Sequence, residues 1–156
     1  MNNIPLHIAI ALNEIGVKEE PKGSNRGPRI DLYTGRRAEP YCAHFVAWCF
    51  REAGTPLPGD TVPTPKRANP LASVAHLERV FGEHGWLTRE PKSGDVIFYA
   101  NRGLSDPGRG RHTGLVIEVD LQYVTTIEAN WSDAVVKRKV LRNDPRIVQY
   151  GRKPTI

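Results

Sequence analysis

After Trp86 the chain is a succession of short β-rich runs, and most of the connections between them are too short to hold a crossover helix. The runs cover 95–100, 113–119, 123–129, 135–141 and 147–150. Parallel neighbours need a crossover of a dozen or more residues, so strands joined this tightly must pair antiparallel. Ahead of them the apolar spacing is helical. Ile4, Ile8, Ala11, Leu12 and Ile15 predict a first helix stopped by Gly16. Cys42, Phe45, Val46, Cys49, Phe50 and Ala53 form the stripe of a stronger one, with Gly54 placed to end it, and Val74, Leu77, Val80 and Phe81 predict another. Residues 18–35 read as a loop with at most a turn of helix at 30–33, and five prolines between Thr55 and Pro70 exclude regular structure there. Helices first and strands afterwards describe an α+β fold, N-terminal helices packed on an antiparallel sheet of about five strands. At 156 residues, one domain over 1–156 is expected.

Seven residues of helix separate Cys42 from Cys49, about 10 Å, whereas a disulfide needs Cα atoms within roughly 7 Å. Both thiols are therefore expected to be reduced. The net charge of +5 favours polyanionic surroundings without choosing among nucleic acid, anionic lipid and an acidic wall polymer. The basic residues are dispersed rather than clustered with aromatics, which argues against nucleic acid. No apolar run approaches the roughly 20 residues of a membrane span, so membrane insertion is not expected. Residues 1–15 lack a basic n-region and a small-residue cleavage site, which predicts synthesis in the cytoplasm without a signal peptide.

Cys42 falls at or just inside a helix start, where the helix dipole and backbone N–H groups favour a thiolate and can hold an oxyanion. His112 opens the strand that contains Gly114, whose missing side chain leaves room for close approach. Strand alternation puts Glu128 and Asn130 on one face, where both could orient a single imidazole. Taken singly, these residues have plainer roles: a small buried thiol, a surface histidine, a rim carboxylate and a turn-starting asparagine. Together they have the logic of a nucleophile, a base and an orienting group. His44, at i+2 from Cys42, points elsewhere on the helix and reads as a solvated surface histidine, and Cys49 reads as core. A zinc site from Cys42, His44, Cys49 and His112 lacks paired ligand spacing, so neither metal nor cofactor is expected. Arg102, Arg109 and Arg111 surround glycines just before His112, either as a lid offering positive charge to an acidic peptide or as a solvated loop. Trp131 reads either as an aromatic wall for sugar or peptide or as a half-buried packing residue.

Four stretches carry a family resemblance: Tyr41-Cys42-Ala43-His44-Phe45-Val46-Ala47-Trp48-Cys49, Pro91-Lys92-Ser93-Gly94-Asp95-Val96-Ile97-Phe98, His112-Thr113-Gly114-Leu115-Val116-Ile117 and Ile127-Glu128-Ala129-Asn130. In content and order the chain resembles the CHAP domains of the NlpC/P60 and papain-like amidohydrolase superfamily. The resemblance implies Cys42 as nucleophile, His112 as general base, Glu128 as the group holding the imidazole and Asn130 as an auxiliary polar residue. Tyr41, Trp131 and Arg111 are the expected substrate contacts, and Tyr33 or Tyr41 could serve as a second oxyanion donor. It implies peptidoglycan as substrate, cut between muramic acid and L-alanine or within the stem or cross-bridge. A phage lysin or a secreted antibacterial effector fits such a chain, reaching the wall by lysis or a non-Sec route; an effector would have an inhibitory immunity protein as partner. Two alternatives stay open: the same chemistry on a protein or small-molecule amide, and a non-catalytic basic module that binds the wall.

Overall fold

The structure is a computed structural model and describes residues 3–100 and 111–155. Its helices are α1 (Leu6–Leu12), α2 (Ile30–Thr34), α3 (Cys42–Glu52) and α4 (Val74–Glu83), with a 3-10 turn at Pro70–Ala72. Its strands are β1 (Leu87–Thr88), β2 (Val96–Tyr99), β3 (His112–Val119), β4 (Tyr123–Trp131), β5 (Ala134–Leu141) and β6 (Ile147–Gly151). They form one sheet in the order β1-β6-β2-β3-β4-β5, with every pairing antiparallel. The α+β class is as the sequence predicts. The sheet has six strands rather than about five because the two-residue β1 pairs with β6, and two residues carry no alternation to read.

Helix α3 is the centre of the core. Every residue from Cys42 to Phe50 is buried, so the predicted apolar stripe is a helix enclosed on all sides. It packs on α1, α2, α4, β3 and β4. Phe45 and Trp48 stack, with Tyr33 of α2 packed edge-on to Phe45. Helix α1 is shorter than the periodicity suggests: Pro5 sits before its first turn, Ile8 and Ala11 are buried, and Ile4 and Ile15 are exposed at its ends. Gly16 ends the segment at a left-handed φ of 96°, as expected of a stop residue. A second apolar cluster, Ile97, Tyr99, Val116, Val124, Val140 and Tyr150, completes the core on the sheet.

Two devices hold the sheet's frame. Gly94 adopts φ 97°, and the Asp95 side chain beyond it, fully buried, accepts two hydrogen bonds of 2.8 Å from the Arg152 guanidinium after β6. The β4–β5 hairpin turns on Ser132 and Asp133, both left-handed (φ 50° and 60°), the twist that a two-residue connection between right-twisted strands requires. No helix among the described residues is long and apolar enough to cross a membrane.

Candidate active site

Cys42 is the first residue of α3, 7% exposed, at an N-terminus that no side chain caps. The positive end of the helix dipole therefore falls at this residue. His112 is the first residue of β3 and pairs with Tyr99 of β2, whose ring stacks on the imidazole at 5.6 Å. The His112 ring bonds Glu128, whose Oε1 lies 2.8 Å from Nε2, and the Cys42 thiol is near enough to act on the same imidazole. Nδ1 is the ring nitrogen that Glu128 leaves unengaged and so the one open to the neighbouring thiol.

Glu128 decides the tautomer. Its side chain is wholly buried and receives four donors: His112 Nε2 and Arg138 Nη1 (2.6 Å) on Oε1, and the Tyr99 hydroxyl and the Thr126 hydroxyl (both 2.7 Å) on Oε2. Burial pushes the Glu128 carboxyl up, but the hydrogen bond from His112 and the charges of His112 and Arg138 outweigh it and hold the group at about 2. A carboxylate only accepts, so Nε2 carries a proton in either charge state of the ring, and Nδ1 is the atom that exchanges a proton with Cys42. Burial pushes the His112 imidazole down, yet the contacts with Cys42 and Glu128 reverse this and raise it. Burial also raises Tyr99, which stays a phenol and a donor.

The other expected site residues are placed less simply. The alternation that would pair Asn130 with Glu128 breaks at Asn130, which adopts φ 61° in a bulge: Glu128 pairs with Val136 and Trp131 with Ala134, three steps against two. The extra residue brings Trp131 to the His112 side instead, with ring centres 5.6 Å apart. Trp131 is half-buried, which fits the packing reading as well as that of a wall. Tyr41 is fully buried with its hydroxyl donating to Glu19 at 3.2 Å, which corrects the expected substrate contact. Tyr33 donates to Glu14 at 2.7 Å and is also fully buried, so neither tyrosine hydroxyl is placed as an oxyanion donor. Arg111, expected as a substrate contact, is held by both carboxylate oxygens of Glu78 on α4 with part of its side chain exposed. Arg102 and Arg109 lie outside the described residues. His44 is not solvated: it is 1% exposed and its Nε2 lies 2.7 Å from Glu39 Oε1, an oxygen that also accepts from Arg37. Cys49 is fully buried and free, and burial raises its thiol. Among the described residues no group of three His, Cys, Asp or Glu is placed to hold a metal ion.

Arg138, Tyr99 and Thr126 escape a reading by motif. Thr126 is at i−2 from Glu128 on the same strand face, a spacing that alternation could have flagged. Arg138 and Tyr99 arrive from neighbouring strands through the pairings Thr126 with Arg138 and His112 with Tyr99, which only the register supplies.

A helix-borne cysteine against a strand-borne histidine, backed by a carboxylate, is the arrangement of papain-like cysteine amidases and peptidases. The CHAP domain family matches residues 33–130, more than half of the chain. The chain belongs to that family, whose domains act on peptidoglycan. The match leaves out α1, β5 and β6, yet Ile8, Ala11 and Val135 from α1 and β5 join the same core. Among solved structures, the crystal structure of Ly7917 shares the fold at a TM-score of 0.55 and 14% identity, covering 96% of this chain and 62% of that one. The chain thus spans under two thirds of the length of that protein. No curated protein matches the chain.

Proposed function

We propose that this protein is a peptidoglycan hydrolase that cuts amide bonds, with Cys42 as nucleophile, His112 as general base and acid, and Glu128 as the residue that fixes the imidazole. The observation that carries this reading is the row formed by buried Glu128, the His112 imidazole bonded to it through Nε2, and the Cys42 thiol that acts on the same imidazole from a helix N-terminus.

The thiol proton passes to Nδ1, and the thiolate attacks the amide carbon. Negative charge on the carbonyl oxygen is met by the backbone N–H of Cys42 and the dipole of α3. The imidazolium gives its proton to the leaving nitrogen, the C–N bond breaks and a thioester remains. Water then yields a proton to Nδ1 and attacks the thioester, which frees the carboxylate and restores the thiol. Glu128 keeps the imidazolium paired at each step and is not itself protonated.

The family's substrate and the net charge of +5, which suits an acidic wall polymer, support peptidoglycan. The bond is either muramoyl–L-alanine or one within the stem or cross-bridge, and the setting is a phage lysin or an antibacterial effector, the latter countered by an immunity protein. Turbidity loss of purified walls with mass spectrometry of the fragments tests this. New amino and carboxyl termini on wall fragments support it, and intact walls beside a cleaved protein or small amide would move the same chemistry to another substrate.

A further inference from the structure

Arg138 comes from β5, one strand beyond Glu128, and no step above assigns it a role. Its Nη1 donates to Glu128 Oε1 at 2.6 Å, and its guanidinium carbon lies 3.7 Å from the centre of the Trp131 ring. That ring leans on His112, which in turn bonds Glu128. Arg138, Glu128, His112 and Trp131 thus form a closed ring of contacts, in which Arg138 and His112 each touch both the carboxylate and the Trp131 ring. Glu128 has no exposed surface, whereas 19% of the Arg138 side chain reaches solvent.

We propose that Arg138 is a positioning residue: it keeps the buried Glu128 ionised against His112 and holds Trp131 beside the imidazole, so that the Cys42–His112 ion pair persists into acidic solution. This rests on the assignment of Cys42 and His112 made above. The charged and titratable groups around Glu128 are His112 from β3, Tyr99 from β2, Arg138 from β5 and Arg146 from the turn before β6, itself paired with Asp144 at 2.6 Å. Charges alternate along the row: Cys42 negative, His112 positive, Glu128 negative, Arg138 positive. Without Arg138 the row carries one more net negative charge, so thiol and carboxyl both keep their protons to higher pH. Lysine restores the charge but not the planar stack on Trp131.

The test is the pH dependence of Cys42 alkylation by iodoacetamide, followed by peptide mass in the wild type, Arg138→Met and Arg138→Lys. It needs no wall substrate, so it stands apart from the identity of the bond cut. The wild type should react with a midpoint below the free-thiol value of about 8.5. Arg138→Met should move that midpoint up by about one pH unit, and Arg138→Lys should recover most of the shift while Trp131 fluorescence changes. An unmoved midpoint in folded Arg138→Met, or an equal shift in both variants, overturns the proposal. Should Arg138→Met not fold, Arg138→Lys decides: a midpoint at the wild-type value supports the role, and one at the free-thiol value overturns it. A wild-type Cys42 that itself titrates as a free thiol would instead remove the Cys42–His112 assignment.

Discussion

A Cβ on Gly114 would stand 2.6 Å from Cγ of Glu128 and 2.8 Å from the carbonyl oxygen of Ile127. Gly114 is therefore the space in which the Glu128 side chain lies, two residues along β3 from the imidazole it holds. The Ile127 carbonyl is backbone of β4 and cannot yield as a flexible side chain would. Gly114→Ala should cost about 1–3 kcal/mol through overpacking and, by displacing Glu128, slow wall hydrolysis on the order of 100-fold. Thermal melting and turbidity rates on the same preparation check both; an unimpaired rate would show that the Glu128 position is not critical.

The two cysteines should respond differently. Cys42→Ala should abolish hydrolysis at wild-type stability, because nothing else at the helix start can form a thioester. Cys49→Ala removes a fully buried sulfur and should cost roughly 1–2 kcal/mol while leaving the rate of the folded fraction intact. Equal rate losses at matched folded fraction would contradict the assignment.

Among the polar neighbours, Glu128→Gln should be the most damaging to rate, by about 10⁴-fold. An amide has one acceptor oxygen for four donors, and it presents its own N–H₂ to two of them. Asn130→Ala forces alanine into a left-handed conformation, at a cost of about 1–2 kcal/mol, and disturbs Trp131; Asn130→Gly should retain most of the rate. Similar rate losses for Ala and Gly would instead mean that the amide itself acts. His44→Ala should lower the melting temperature because it empties a buried site and leaves Glu39 with Arg37 alone, with little effect on the rate of folded protein.

Stability should depend on pH in two windows. Glu128 is depressed from 4.5 to about 2, so its contribution is present above the unfolded value and is lost as pH falls from 4.5 toward 2; the shift corresponds to roughly 3 kcal/mol. His112 is raised, so its contribution is complete below 6.5 and is lost as pH rises through its folded value. Melting temperatures of the wild type and Glu128→Gln across pH 2–9 should converge at the acid end. A constant gap would contradict a native carboxylate ion pair at Glu128.

Local periodicity reads this protein well wherever each residue keeps its place in the pattern. The stripe of α3, the four apolar positions of α4 and the strand carrying Glu128 stand where the sequence predicts them. The reading fails where one backbone angle breaks the period: φ 61° at Asn130 puts Trp131 on the His112 side, which alternation cannot anticipate. It also fails for polar groups with distant partners. His44 and Arg111 look solvent-facing until Glu39 and Glu78 are brought to them, and Arg138 is one basic residue in a basic strand until register places it on Glu128.

The central claim, hydrolysis of wall amide bonds by the Cys42–His112 pair, is tested most directly by the free amino groups released from purified peptidoglycan. The wild-type protein should release them steadily, and Cys42→Ala, folded and at equal concentration, should release none above background. Release by Cys42→Ala at the wild-type rate, or none by folded wild-type protein, would contradict it.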